Sequence, residues 1–487
     1  MAKFYLFFLG VALFSLGFGY VLNKRLGNRS SGIADRLYKP LWLWAAVIGL
    51  LLCTQQALKY YNFFTGAFDL GVISQAFANT LQGEFFSNTF IGLDKNVSCF
   101  AQHTLPIFFL ILPIYALLQH PLILVALQSI AVAASIAGMA CLTRQISGST
   151  RMASVIAICY SLFPPLYLAG LFDFHGDTLA LPFIVALMAA SLQSRVRISL
   201  AMLILALSCK EYIALTTFAW GVYLYAKHGR TKAGLSIAII SAGWFVAAHI
   251  LQEIIRPDFI PSMFEDHYAF LFGRNAGRTF IFNKQNAENL VFLLAPTLLV
   301  CMAYPWTLLL IALPLTKDLA VGMAIENHRS VPMSPLLWYG VVRALHKIRT
   351  DNPMRARWLA HALVIAGLLC SALYSETPWS QRFYRIWRRK YWNPQQRTLL
   401  QEALAQISGN GAVSTTMNLH PHLINHRYVY IFPVTGAHPA AEYIVLDKSK
   451  LSAKDTAVLD SLASHGHYVV RLDNAEAIVL HKSNGGK

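Results

Sequence analysis

Charge is scarce in this sequence. Of 487 residues, 13% are charged, where soluble domains run nearer one-quarter. That excludes an ordinary water-soluble globular chain. A cysteine framework is missing too. The seven cysteines are scattered singly, with no CxxC, and all but Cys99 fall inside apolar runs. Neither a disulfide scaffold nor a cysteine zinc site follows from that pattern. P-loop, GxGxxG and internal repeat are all absent. What is present is oil. Hydrophobic residues make up 56% of the chain, and the mean hydropathy is +0.48. Long apolar runs recur from residue 4 to residue 374, the mark of a polytopic membrane protein. The net charge of +17 is spread over short loops, so it speaks of topology and lipid surface before nucleic acid.

The run Phe4 to Leu22 is too long for a signal peptide and lacks a cleavage site, so it reads as a first transmembrane helix. Lys24, Arg25, Arg29, Arg36 and Lys39 follow and mark a cytoplasmic loop. The next span, 41 to 60, then runs outward to an outer loop over 61–102. The stretch from His103 to Leu118 holds Pro106 and Pro113 and falls short of the ~20 residues a span needs. It reads as a broken or re-entrant element that returns to the outer side. Spans over 121–142, 152–172 and 178–194 come next. From Ile198 to Tyr225 the chain is apolar except for Lys210 and Glu211. Basic residues at both ends of that run require two short tilted helices meeting near the pair. A span over 233–251 leads to a second outer loop, 252–288. Runs over 289–302 and 305–317, an outer segment with Glu326 and His328, and spans over 332–346 and 358–374 complete the set. The expected class is mainly α, with about twelve membrane helices, by length, plus the re-entrant piece. Both termini are then outside, and the expected location is the cell inner (cytoplasmic) membrane.

The transmembrane domain is expected over 1–380. The stretch "RFYRIWRRKYW" after it reads either as an amphipathic helix on the bilayer surface or as a solvated basic linker. Composition turns soluble from about 395, by the shift in pattern. "YIVLD" and "YVVRLD" read as strands, with a helix over 454–464 between them. A small extracytoplasmic α/β domain is expected over 395–487.

Threading the spans brings Asp69, Asp173, His175, Asp177 and Glu211 to one side at one depth. A charge within a span costs ~2.5–3.5 kcal/mol on insertion scales, so several at one level suggest a shared polar pocket. Each has a plainer reading. Asp69 can cap a helix. Asp173 and Asp177 can be solvated loop acids. Lys210 and Glu211 can satisfy each other, and His103 and His328 can be structural.

"FDLGVISQAFANTLQGEFF", "QHTLPIFFLILPIYAL", "LFDFHGDTLALP" and "LSCKEYIAL" together resemble a family of bacterial membrane proteins, domain of unknown function 2079. The resemblance continues through "ENHRSVPMSPL", "HPHLINHRYVYIFP" and "AEYIVLD", and covers residues 60 to 450. Tyr212 stands where the family pattern has an acid, and Thr104 and Leu105 where it has Phe-Ser. The family in turn resembles the C-type membrane glycosyltransferases. That resemblance implies a polyprenyl-phosphate sugar donor and a catalytic aspartate in the first outer loop, the position of Asp69.

The chemistry can be stated independently. An inverting transfer needs a base for the acceptor hydroxyl and positive charge on the departing phosphate. Asp69 is the expected base, with Glu211 as the second catalytic candidate. Lys210 or a tail arginine would hold the phosphate. Asp173, His175, Asp177, His103 and His328 would bind substrate, and Asp173 with Asp177 could hold a divalent ion, Mg2+ or Mn2+, through carboxylate oxygens. The expected partners are membrane lipids and the lipid-linked donor. A transporter or flippase, or a non-catalytic scaffold, remains as a rival reading.

Overall fold

The computed structural model describes residues 41–92, 95–262, 284–321, 328–389, 393–433, 441–465 and 467–483. The expected helix over 4–22, its basic loop 24–39, most of the loop 252–288, Glu326 and residues 390–392 lie outside the described residues.

Among the described residues, four helices are long and apolar enough to cross a membrane. They are α1 (Leu41–Tyr61), α4 (Pro121–Ser147), α11 (Thr231–Ile255) and α15 (Pro353–Tyr374). A fifth span forms if α5 (Thr150–Ser161) and α6 (Pro164–Leu171) count as one, bent by 53°. The bend has a local cause. Proline at 164 and 165 removes two amide donors and forbids a straight run.

The remaining expected spans are shorter pieces. Between α1 and α4 stand α2 (Val72–Leu81) and α3 (Ile107–Leu118). After α6 come α7 (Gly176–Leu179), α8 (Leu181–Leu192), α9 (Val196–Leu207) and α10 (Ile213–His228). Beyond α11 stand α12 (Lys284–Leu294), α13 (Trp306–Val321) and α14 (Ser334–Asp351). The expected break at Lys210 and Glu211 is there, between α9 and α10. The stretch expected to be broken or re-entrant holds the short apolar helix α3, which stops at Gln119 in the left-handed region (φ 44°). The outer loop 61–102 is not a plain loop. It holds α2 and a hairpin of β1 (Ser87–Gly92) and β2 (Lys95–Ser98).

Termini follow capping chemistry. His120 accepts from the Leu122 amide at the start of α4, and Gly148 (φ 63°) ends it. Ser149 and Asn352 cap α5 and α15, and each such side chain satisfies an amide the helix leaves orphaned. Leu235, Ile239, Val246, Ile250 and Ile254 stay exposed on α11, the face a spanning helix offers to lipid.

The C-terminal part begins with α16 (Gln381–Arg389), where Phe383 stacks on Trp387 at 5.4 Å, and α17 (Pro394–Leu404). A five-stranded sheet follows, of β3 (Val413–Thr415), β4 (Val429–Ile431), β5 (Tyr443–Asp447), β6 (Tyr468–Asp473) and β7 (Ala477–Lys482), in the order β4-β3-β5-β7-β6. β3 runs parallel to both neighbours, and β7 antiparallel to β5 and β6. The expected strands "YIVLD" and "YVVRLD" are β5 and β6. The helix between them is α18 (Ala453–Ser464), opened by a Ser452–Asp455 capping box. β5 is buried on both faces. Tyr443 and Val445 pack with Leu400 and Ala403 of α17, while Ile444 and Leu446 pack with Leu459 of α18. That is why "YIVLD" reads as a continuous apolar run rather than an alternation.

This sheet docks on the bundle through its edge. Among the described residues, β4 has no strand partner on its outer side. Thr89 of β1 fills the place: its hydroxyl donates to the Val429 carbonyl (2.7 Å) and accepts from the Val429 amide (3.0 Å). Gln75 and Asn79 of α2 donate to the Arg427 carbonyl (3.1 and 3.3 Å). An edge strand needs such cover.

Candidate active site

The segment after α6 is the starting point. Helix geometry ends at Leu171, leaving carbonyls that need donors inside the bundle. Two glutamines supply them. Gln56 of α1 donates to the Gly170 and Phe172 carbonyls, and Gln128 of α4 donates to Phe172 (2.8 Å). Gln128 also accepts the His175 amide (2.8 Å). Gly176 then lets this segment meet the α9–α10 break. A Cβ there would sit 2.1 Å from the Cys209 carbonyl oxygen, a contact only glycine avoids.

Asp69 lies on a single π-helical turn, Ala67–Gly71, closed by the Gly71 amide donating to the Gly66 carbonyl (3.1 Å). Such turns are frequent at functional sites. The Gly66 amide donates to Asp173 Oδ2 (2.8 Å), and Lys59 lies 3.5 Å from Asp173 Oδ1. Asp173 therefore ties the turn to the unwound segment.

The turn aims Asp69 at His175, with Oδ1 3.1 Å from Nε2. His175 Nδ1 donates to the Asp173 carbonyl (3.0 Å), which fixes the ring. Burial pushes the Asp69 carboxyl up, but His175, then Lys210 and His103, outweigh it and hold it below the usual carboxylate value. His328 stacks on His175 at 3.5 Å between ring centres. Burial, then the neighbouring His175 and Lys210, holds His328 well below the ordinary imidazole value.

The second carboxylate group is separate. Asp177 is fully buried and takes Lys210 Nζ at 3.1 Å and His328 Nε2 at 3.4 Å on Oδ2. Glu211 Oε1 meets His103 Nδ1 at 3.0 Å, and Oε2 accepts the Thr104 amide (3.1 Å). Burial raises Glu211, yet His103, Lys210 and these hydrogen bonds override it and hold the group at about 2. His103 is lowered, first by burial and then by Lys210. In the tautomer with its proton on Nδ1, the ring donates to Glu211 and keeps a lone pair on Nε2.

Asp69, His103, His175, Lys210 and His328 line one cavity of about 480 Å3. Asp173, Asp177 and Glu211 do not line it but bond directly to residues that do or to the Asp69 turn. All eight candidates are thus brought together. Arg329, which the sequence reading passed over, also lines the cavity, as does Tyr212, noted there only as a departure from the family pattern. The buried Nη1 of Arg329 has no hydrogen-bond partner among the described residues. The signal was the basic residue beside His328 in "ENHRS". The Tyr212 ring lies between two ammonium groups, Lys317 at 3.8 Å and Lys210 at 4.9 Å, so its π-face takes up positive charge where an acid was expected.

The residues suggested for a divalent ion do not fit one. Asp173 is spent on Lys59 and Gly66, and Asp177 Oδ2 on Lys210 and His328, which leaves Asp177 Oδ1 as the one carboxylate oxygen of the two residues without a hydrogen-bond partner among the described residues. Among the described residues no three His, Cys, Asp or Glu side chains group to hold a metal.

These features define a helical membrane protein with a polar cavity at one end of its bundle. The chain belongs to the predicted membrane protein family DUF2079, whose model matches residues 59–479. A search of the curated proteins finds no match. Among solved structures the chain is similar to ArnT from Cupriavidus metallidurans bound to undecaprenyl phosphate, with a TM-score of 0.55, 11% identity, and cover of 91% of this chain and 98% of that one. The apo state of the same protein gives a TM-score of 0.48 at 11% identity, over 92% of this chain and 98% of that one. The first likeness shows a shared fold.

Proposed function

We propose that the chain is a membrane glycosyltransferase that moves a sugar from a polyprenyl-phosphate donor to an acceptor hydroxyl outside the cytoplasm. The observation that carries this reading is one cavity holding a carboxylate–imidazole pair, Asp69–His175, beside a guanidinium with an unspent donor, Arg329. The shared fold supports it, since the neighbour's crystal structure holds undecaprenyl phosphate.

Asp69 accepts the acceptor's proton as its oxygen attacks the anomeric carbon. The bond from that carbon to the phosphate oxygen breaks, and its electron pair leaves with the phosphate. His175 keeps Asp69 in place and ionised. Lys210 is already neutralised by Asp177, so Arg329 is the better phosphate clamp. A guanidinium matches two phosphate oxygens at once. Glu211 does not line the cavity, and both its oxygens are taken by His103 and the Thr104 amide. Its part is to orient His103. Asp173 and Asp177 hold the Asp69 turn and Lys210. His328 braces the His175 ring.

The test is a transfer assay with a labelled polyprenyl-phosphate sugar, run beside thermal unfolding. Asp69→Asn should cut turnover 10²–10⁴-fold, the usual weight of a general base, with unfolding almost unchanged. Arg329→Gln should weaken donor affinity. Lys210→Ala is a poor probe, because it leaves Asp177 buried and unpaired at a cost of about 3–5 kcal/mol. Normal turnover in Asp69→Asn would transfer the role to the His103 lone pair. A transporter would instead lose flux with no labelled product at any stage.

A further inference from the structure

A second polar feature lies at the other end of the bundle. α14 begins next to the segment holding His328 and ends at Asp351. Its 18 residues separate those ends by about 27 Å, at 1.5 Å per residue. α5 and α6 likewise run from Arg151 toward the segment holding Asp173. Arg151 and Arg349 therefore stand far from Asp69.

Between them is a cavity of about 260 Å3. Arg151, Arg349 and Arg357 line it, with apolar walls from Met152, Leu345 and Ala356. Two helices start at its edge. Ser149, the N-cap of α5, and Pro353, the first residue of α15, are both in its lining. Helix N-termini carry partial positive charge, which adds to the three guanidiniums. Among the described residues no carboxylate pairs with Arg151 or Arg349. Arg349 Nη1 is buried and has no hydrogen-bond partner among them. His361 stands close enough to Arg151 and Arg357 to feel their charge, and its Nδ1 is likewise buried without a partner among the described residues. Like charges gathered this way repel unless an anion joins them. Topology alone asks for basic residues near span ends, not for three of them around one cavity.

We propose that this cavity binds a phosphate group, that of an anionic membrane lipid in the leaflet opposite the Asp69 cavity. Arginine forks fit phosphate oxygens in pairs. The apolar walls suit the glycerol and first methylenes of a lipid more than a bare ion. α15 is long and apolar enough to span the membrane, and α5 is half of the bent pair that does so with α6, so a lipid headgroup reaches this level without leaving the bilayer.

The experiment uses the full chain in detergent. Phosphatidylglycerol, phosphatidylcholine and inorganic phosphate are offered separately, and retention is read by native mass spectrometry with thermal unfolding alongside. The expected result is one retained phosphatidylglycerol and little phosphatidylcholine. Arg349→Gln should weaken retention about tenfold, the scale of one lost charge-assisted contact. Arg151→Gln with Arg349→Gln should abolish it. Arg349→Lys keeps the charge but loses the fork, so it should give intermediate retention and keeps the measurement readable if the glutamine variants fail to fold. Equal retention of phosphatidylglycerol by wild type and double variant would overturn the site. Stabilisation by inorganic phosphate without retained lipid would overturn the lipid as its source, leaving a soluble phosphate. Equal retention of both lipids would show that charge does not select the ligand, and would also overturn the proposal.

Discussion

His420 has no hydrogen-bond partner on either ring nitrogen among the described residues, and it is fully buried. It packs over the Asp69 turn: a Cβ on Gly71 would lie 2.5 Å from its Nδ1. Burial pushes it down to about 3. His422 is also pushed down to about 3, by burial and then by His120. The linkage sign follows. A neutral histidine in the fold takes up no proton, while the unfolded chain does so below about 6.5. Stability is then complete above 6.5 and falls as pH drops toward 3, by about 1.4 kcal/mol per pH unit for each such ring. Glu211 acts later. Its depressed value contributes stability above the ordinary carboxylate range that is lost only as pH falls toward about 2. Unfolding curves between pH 7 and 5 should therefore be steeper in wild type than in His420→Phe, by one proton's worth. Parallel curves would mean that His420 is not buried neutral in the fold. This residue was not legible from sequence. "HPHLINHRYVYIFP" stood out only as a match to a family, since no local pattern says which histidine is buried by a distant turn.

Two elements meet at Gly176, and that contact decides the shape of the cavity. The unwound segment after α6 crosses the α9–α10 break with a glycine against the Cys209 carbonyl. Gly176→Ala would force a methyl group into backbone, which cannot swing aside as a side chain can. Overpacking of this kind costs about 1–3 kcal/mol. It should lower the unfolding temperature and, if the two segments part, loosen Lys210 from Asp177. The check is thermal unfolding together with the transfer assay. A variant with unchanged stability would mean that the segments do not touch. The break itself was legible, because Lys210 and Glu211 interrupt an apolar run whose ends are both basic. So were β5, β6 and α18, whose patterns are local. By contrast, α2 and the β1–β2 hairpin were hidden in an outer loop. Their polar residues Asn79 and Thr89 are buried by contact with a part of the chain more than three hundred positions away, as the Asn79–Arg427 and Thr89–Val429 bonds show. The glutamines Gln56 and Gln128 escaped notice for the same reason. Each looks like a tolerated polar residue until the carbonyls it serves are in place.

At the scale of the whole molecule, sidedness is tied together by contacts rather than by charge counts. Because β4 docks on β1, the hairpin region and the C-terminal sheet must face the same side of the membrane, whichever side that is. Gln82 and Ala457 are exposed on these two parts, and Thr350 is exposed at the end of α14 that carries the arginine cavity. On the positive-inside rule, the basic residues around Arg349 and Arg357 make that end the expected cytoplasmic one. In a cysteine-free background, Gln82→Cys and Ala457→Cys should react with an impermeant thiol reagent added to spheroplasts, and Thr350→Cys should react only after lysis. Reaction at Thr350 alone would invert the topology, put the Asp69 cavity on the cytoplasmic side and remove the extracytoplasmic acceptor. Reaction at Gln82 without Ala457 would contradict more than the orientation: it would break the docking seen at Thr89. The two failures are distinguishable in one experiment, because charge distribution sets the direction of the bundle and hydrogen bonding at an edge strand sets what travels with it.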